Sequence, residues 1–117
     1  MNSKIFKHKR VAIDFDGTLF YDVNDVFDSF EKNEKLIPIP NAANGLKFLK
    51  DNGFEILIYT CRPDYHRKYI EEMLESNNII HDYILFYTKP RVDLYIDNKG
   101  YRFTDWNSTT DWIKSKL

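Results

Sequence analysis

Short apolar segments that run into reactive polar residues most limit how this chain can fold. Four segments of strand length occur along its 117 residues, and their β-branched and aromatic content predicts buried strands. The segments are residues 11–15, 54–59, 83–86 and 92–96. The polar residues that they lead into are Asp14 and Asp16, Thr60, Lys89 and Asp97.

Segments with helical spacing separate the early strands. Asn41 is a predicted N-cap, the apolar stripe after it ends at Asn52, and residues 64–77 form a second predicted helix. A short fifth strand is expected at 101–103, and a last helix begins near Ser108 or Thr109. This alternation predicts a single-domain α/β fold over residues 1–117, an open, mainly parallel β-sheet with helices on both faces.

Composition narrows the class of protein. Apolar residues make up 43% of the chain and aromatic residues 16%, enough for a real core, and the net charge is -1. Because charges of both signs are interspersed, nucleic acid is a possible partner without support from charge. The one cysteine, Cys61, excludes an internal disulfide. No apolar stretch has the length of a signal or a membrane span, so a soluble, cytoplasmic protein without a membrane partner is expected.

The polar residues at the strand ends indicate phosphoryl chemistry. Ligands bind at the carboxyl edge of open α/β sheets, so these groups should converge there. Clustered carboxylates repel one another and raise each other's pKa unless a cation lies among them, and oxygen ligands without His or Cys favour Mg²⁺. A lysine and a hydroxyl beside that metal suit a phosphoryl group, which a carboxylate can attack. A second acid two residues along an extended segment points to the same side and can transfer protons.

The segment Asp14-Phe15-Asp16-Gly17-Thr18-Leu19 resembles the first motif, D-x-D-G-T, of the haloacid dehalogenase superfamily of phosphatases. The resemblance implies a Rossmann-like core with Asp14 as nucleophile and Asp16 as general acid and base. It also implies that Asp14, the Asp16 carbonyl and Asp97 hold magnesium. Thr60 and Lys89 would bind the phosphoryl group and assist catalysis.

The sequence departs from the family pattern in two places. The fourth motif often carries two adjacent acids, whereas here Asn98 follows Asp97. Asp93 imitates another version of that motif, but it is expected at the opposite end of its strand. The spacing between motifs leaves no room for a large cap domain, although residues 20–37 could form a small flap.

Other residues near these motifs allow two interpretations each. Arg62 is a candidate substrate-binding residue and an equal candidate for a surface salt bridge. His66 and Arg67 are expected on an exposed helix face, and Cys61 is expected to be a packed, inert thiol. Trp106 and Trp112 are predicted to pack in the core or between helices.

The sequence thus favours a Mg²⁺-dependent phosphatase that hydrolyses a small phosphomonoester through an aspartyl-phosphate on Asp14. One alternative is a phosphatase acting on a polynucleotide end or a protein. Another is a non-catalytic relative that binds phosphate or metal. A signalling receiver domain has similar ingredients, but it carries its phospho-acceptor aspartate on the third strand. The sequence leaves the substrate and the oligomeric state open.

Overall fold

A computed structural model describes residues 6–87, 91–97 and 101–117. Within these residues the chain forms an open, five-stranded sheet whose strand pairings are all parallel. The strands are β1 (Arg10–Asp14), β2 (Glu55–Thr60), β3 (Tyr83–Phe86), β4 (Leu94–Asp97) and β5 (Tyr101–Arg102). Their order across the sheet is β3-β2-β1-β4-β5. The predicted α/β fold with a parallel sheet is confirmed.

Helices follow the strands largely where helical spacing predicts them. They are α1 (Val26–Glu31), α2 (Ala42–Asp51), α3 (Arg67–Ser76) and α4 (Trp106–Lys116), with a 3₁₀ turn over Asp64–His66 before α3. In the described part of the chain, no helix is long and apolar enough to cross a membrane.

Two helix starts differ from their predictions. Helix α4 begins earlier than expected because Asp105 caps it, its carboxylate accepting a hydrogen bond from the Ser108 amide at 2.8 Å. Asn41 occupies the N-cap position of α2, but it does so in the left-handed conformation (φ 68°) without a side-chain capping bond.

The hydrophobic core lies against one face of the sheet. Val11 and Ile13 of β1 share this face with Ile56 and Ile58 of β2, and all are fully buried. Apolar residues of every described helix belong to this core or pack against it.

The opposite face of the sheet is more polar and carries the site residues at its carboxyl end. Arg10 and Glu55 form an ion pair across β1 and β2 at 2.7 Å. At the other end of these strands Asp14 lies opposite Tyr59 in the β1–β2 register, and the β1–β4 register brings Asp97 level with Asp14. Side chains from three adjacent strands thus meet at one edge.

Trp106 of α4 packs against α2 and is hydrogen-bonded to the loop that follows β1. Its indole is buried, as predicted, and the Nε1 hydrogen is donated to the Thr18 carbonyl at 3.0 Å. On the other side of the ring, a Cβ at Gly45 would lie 2.4 Å from Trp106 Cε3. Only glycine lets α2 approach the indole this closely.

We expect Gly45→Ala to destabilise the protein, although alanine is ordinarily the better helix former. The added methyl must displace the Trp106 ring, at a cost of about 1–3 kcal/mol in the free energy of unfolding. Urea denaturation measures the change. Asn44→Ala, at an exposed position of the same helix, serves as the control and should be neutral or slightly stabilising. Equal stability of the two variants would contradict the close packing of Trp106.

Candidate active site

A tight turn after β1 builds one wall of the site. The Gly17 amide donates to the Phe20 carbonyl at 2.8 Å, and Gly17 has a φ of +85°, which favours glycine. A Cβ at position 17 would lie 3.1 Å from an oxygen of the Asp22 carboxylate. The turn therefore brings Asp22, which the sequence analysis did not single out, close to the residues of the first motif.

Three of the predicted site residues converge on one cavity of about 290 Å³ at the carboxyl edge of the sheet. The described residues that line the cavity are Asp14, Asp16, Gly17, Thr18, Asp22, Asp97 and Phe103. Thr60 and Arg62 do not line this space, although Arg62 contacts Asp16 of its wall and Thr60 contacts Arg62. Lys89 and Asn98 lie outside the described residues.

The Asp14 carboxyl group has an unusual electrostatic environment. Burial, followed by the negative charge of Asp16, raises its pKa to about 7, and the charges of Asp97 and Asp22 add to the effect. A hydrogen bond from the Phe15 amide opposes the shift. Without a cation, Asp14 would therefore be substantially protonated at neutral pH. A protonated carboxyl group is a poor nucleophile, so the site favours a bound positive charge.

Tyr59 is a site residue that sequence reasoning missed. The phenol donates a hydrogen bond to the Asp97 carboxylate, and burial together with this bond raises the Tyr59 pKa. Since β1 lies between β2 and β4, the Tyr59 side chain reaches across the Asp14 strand to Asp97. Such a partner fixes the orientation of a carboxylate that could act as a metal ligand. Only the strand register reveals this contact.

Asp16 is held by Arg62 in a two-pronged ion pair. Arg62 Nε and Nη2 donate to the two carboxylate oxygens, each at 2.9 Å. The Arg62 side chain is 1% exposed and the Asp16 side chain 23% exposed, so the pair is not the surface salt bridge considered above. Charge-assisted, bidentate bonds of this kind are strong and directional. Arg62 therefore fixes the direction in which the Asp16 carboxylate points.

Thr60 supports the same loop. Its side chain is buried at the end of β2, and Oγ1 accepts a hydrogen bond from the Arg62 amide at 3.0 Å. A threonine hydroxyl also carries one donor hydrogen. The group that the sequence assigned to phosphoryl binding thus also shapes the turn that carries Arg62.

The expectation that His66 lies on an exposed helix face is wrong, because its ring is completely buried. The ring stacks on Phe30 of α1 with centroids 4.0 Å apart, and Nδ1 lies 3.4 Å from Arg62 Nη1. Burial and the Arg62 charge lower the His66 pKa, while Asp16 opposes the shift. A neutral imidazole can lie against a guanidinium without charge repulsion. Cys61 also differs from its prediction, since its side chain is exposed rather than packed.

The predicted flap is closed at its base. Phe20 and Pro38 form an isolated antiparallel bridge, and the Tyr21 amide donates to the Ile37 carbonyl at 2.9 Å. Helix α1 lies between these ends and packs on the loop after β2 through the Phe30–His66 stack. The segment therefore joins the first-motif loop to the Arg62 loop.

The residues that could hold a metal are oxygen donors. Among the residues that the structure describes, no group of three or more His, Cys, Asp or Glu side chains is arranged as a metal centre. The predicted site needs fewer side chains, because its third protein ligand is the Asp16 carbonyl. Asp14 and Asp97 share one cavity with Asp16, and an all-oxygen set fits Mg²⁺. Asp93 is at the opposite edge, where its carboxylate accepts from the Arg10 amide at 2.7 Å.

Comparison with known proteins supports the fold. No protein-family model matches the chain, and no curated protein does. A conserved protein from Bacteroides thetaiotaomicron superposes with a TM-score of 0.67 and 21% identity, covering 92% of this chain and 91% of that chain. A protein from Vibrio cholerae gives 0.58 and 22%, covering 87% of each chain.

A further neighbour belongs to the Pnkp1/Rnl/Hen1 RNA repair complex. It has a TM-score of 0.57 and 24% identity, and the match covers 73% of this chain and 28% of that chain. This chain thus corresponds to less than a third of the complex component. At these identities the likenesses concern the fold.

Proposed function

We propose that this chain is a Mg²⁺-dependent phosphatase of the haloacid dehalogenase type, hydrolysing a phosphomonoester through an aspartyl-phosphate on Asp14. The observation that carries the proposal is the meeting of Asp14, Asp16 and Asp97 in one cavity at the carboxyl edge of a parallel sheet. Their order along the sequence resembles that of the superfamily motifs. Burial, followed by the unscreened charges of the neighbouring carboxylates, raises the pKa of Asp14, as expected for a nucleophile in such a site.

The chemistry requires two carboxyl groups in different roles. A carboxylate oxygen of Asp14 forms a bond to phosphorus while the bond from phosphorus to the ester oxygen breaks, and the departing oxygen takes a proton from Asp16. Water then attacks the phosphorus of the aspartyl-phosphate and gives a proton to Asp16, while the bond from phosphorus to the Asp14 oxygen breaks. Inorganic phosphate leaves, and both carboxyl groups return to their starting states.

Three further groups would assist these steps. Asp14, Asp97 and the Asp16 carbonyl would hold the Mg²⁺ ion, which when bound neutralises charge on the carboxylates and the phosphoryl oxygens. Thr60 would donate its hydroxyl hydrogen to a phosphoryl oxygen. Lys89 would neutralise the nucleophile and the phosphoryl group, as the resemblance implies.

The bond between Arg62 and Asp16 sets a requirement on the first step. With both oxygens accepting from Arg62, Asp16 is arranged as a proton acceptor. Donation to the leaving group requires one of these bonds to be released. Arg62 Nε or Nη2 would then be free to contact the phosphoryl group. Arg62 could thus both orient Asp16 and bind the substrate, as the sequence suggested.

A phosphatase acting on a polynucleotide end is the second candidate. Likeness to a component of an RNA repair complex favours it. The balanced charge of the chain adds no support, since polynucleotide affinity depends largely on Lys and Arg contacts to phosphates. An oligonucleotide with a terminal phosphate therefore belongs in any substrate panel.

Removal of the metal provides the test of the proposed function. We expect release of phosphate from an aryl phosphate in the presence of Mg²⁺ and its loss, by roughly 10³-fold or more, after chelation. Adding Mg²⁺ back should restore turnover, whereas adding Ca²⁺, which prefers larger and more flexible coordination, should not. Turnover that persists in excess chelator would contradict the metal-dependent mechanism.

A further inference from the structure

A second, larger cavity adjoins the carboxylate cavity. It measures about 510 Å³ and shares Gly17, Asp22 and Phe103 with the first. Tyr21 and residues 39–41 and 104–107 form the rest of its wall. Its volume lies within the range of sites that bind small organic molecules. None of the four motifs accounts for it.

The shared wall places this cavity where the rest of a substrate would extend. In the proposed reaction the phosphorus lies at Asp14 and the ester oxygen lies at Asp16, inside the 290 Å³ cavity. The organic part of the bound ester must therefore project out of this cavity. Gly17 and Asp22 belong to both spaces, so the larger cavity continues directly from the smaller one. This step rests on the proposed function.

Two aromatic rings give the cavity flat apolar surfaces. Tyr21 is 51% exposed, with its backbone held by the bond to Ile37 at the base of the flap. Phe103 is half-buried and packs on the fixed Trp106 indole at a centroid distance of 5.4 Å. Aromatic faces that are exposed on a rigid support favour contact with a ring of the ligand.

The polar groups in the wall are uncharged or acidic. Asn41, Asn107 and Thr104 supply amide and hydroxyl groups, and Asp22 and Asp105 supply carboxylates. Among the described residues of this wall there is no lysine or arginine. A second phosphate or a carboxylate on the ligand would therefore meet like charge without a compensating cation.

We propose that this cavity binds the leaving group of the substrate, and that this group is an uncharged, ring-containing alcohol with hydrogen-bonding substituents, such as a nucleoside. Tyr21 contacts the ring, and Asn41 and Asn107 bond to its polar edge. The preferred substrates are monophosphates. Bisphosphates and oligonucleotides carry additional negative charge into an acidic wall and are poorer substrates.

The test compares esters that differ in this group alone. Values of kcat/KM are measured for adenosine 5′-monophosphate, adenosine 3′,5′-bisphosphate, a terminally phosphorylated oligonucleotide and acetyl phosphate, which has no ring. We expect the monophosphate to exceed the bisphosphate and the oligonucleotide roughly tenfold. Tyr21→Ala should lower the ratio of monophosphate to acetyl phosphate roughly tenfold. Tyr83→Ala, with 54% exposure at the opposite edge of the sheet, should leave that ratio unchanged.

A charge-introducing pair of variants makes the prediction independent of Tyr21. Asn107→Lys adds a cation to the cavity and should raise the ratio of bisphosphate to monophosphate turnover several-fold. Ser76→Lys adds the same charge to an exposed position on α3, away from this cavity, and should not. Equal ratios in these two variants would overturn the assignment.

Binding of free adenosine separates failure of this inference from failure of the proposed function. Ligand-observed NMR should detect adenosine with the native protein and with Tyr83→Ala, and more weakly with Tyr21→Ala. If acetyl phosphate is hydrolysed but Tyr21→Ala alters neither the ratio nor adenosine binding, the phosphatase stands and the cavity assignment falls. If no ester is hydrolysed, the adenosine comparison still decides whether the cavity binds such a group.

Discussion

Replacing Asp14 by asparagine is expected to lower phosphatase turnover by roughly 10⁴-fold or more. The amide cannot form the covalent intermediate, so the two-step route is closed rather than slowed. Phosphate release from an aryl phosphate in saturating Mg²⁺ measures the loss. Asp111→Asn, at an exposed position on α4, makes the same chemical change outside the site and should retain native turnover. Comparable rates for Asp14→Asn and the native protein would show that Asp14 is not the nucleophile.

The same variant should be more stable than the native protein when metal is removed. The Asp14 pKa is about 7 in the folded chain and 3.8 in the reference state. The folded state therefore binds the extra proton between these values, and the free energy of unfolding falls as pH rises from about 4 to 7. The full shift corresponds to about 4 kcal/mol, which solvent in the cavity would reduce to about 2 kcal/mol.

Urea denaturation in chelator at pH 5 and pH 8 tests this pH dependence. The native protein should lose stability between the two pH values relative to Asp14→Asn, while Asp111→Asn should follow the native curve. Parallel curves for Asp14→Asn and the native protein would mean that Asp14 has an ordinary pKa in the folded state. The two measurements on one variant thus separate the nucleophile assignment from the electrostatic assignment.

The fold and the convergence of acids could be predicted from local patterns. A buried strand that runs into Asp14 and another that runs into Asp97 place both residues at the same edge of any parallel sheet, whatever the strand order. Helical spacing located α2 and α3 because their apolar stripes are regular. Helix α4 was placed too late, since its start depends on the Asp105 cap rather than on an apolar residue.

The partners of the acids could not be predicted, because they depend on how strands and loops lie beside one another. Tyr59 meets Asp97 across an intervening strand, a relation that exists only once the order β2-β1-β4 is known. His66 is buried by the flap helix, which has no clean period in the sequence. From the sequence, Arg62 was equally suited to bind substrate or to form a surface salt bridge. Its side chain is instead buried by the loop after β2 and committed to Asp16.

Removing the Arg62 guanidinium is the second change with a large expected effect. Arg62→Met leaves the half-buried Asp16 carboxylate without its two charge-assisted bonds. Because Asp16 is partly exposed to solvent, we expect a loss of about 1.5–3 kcal/mol of stability, the range for hydrogen bonds to charged groups. Misalignment of Asp16 should also lower turnover by roughly 10²–10³-fold. Arg62→Lys keeps the charge but cannot donate to both oxygens in the same fork, so it should recover part of the stability and little of the rate.

Comparing the rates of esters with different leaving groups shows whether Arg62 acts by positioning Asp16. If Arg62 aligns Asp16 for proton transfer, Arg62→Met should slow an alkyl phosphate far more than an aryl phosphate, whose stable phenolate departs with little protonation. A purely structural defect would slow both esters equally. Arg67→Met is the matched control. Arg67, the first residue of α3, lies over the ring of Phe86 in β3, and none of the hydrogen bonds to the Asp16 carboxylate comes from it in the described structure. Equal losses on both esters for Arg62→Met would show that Arg62 supports the fold of the loop rather than the proton transfer.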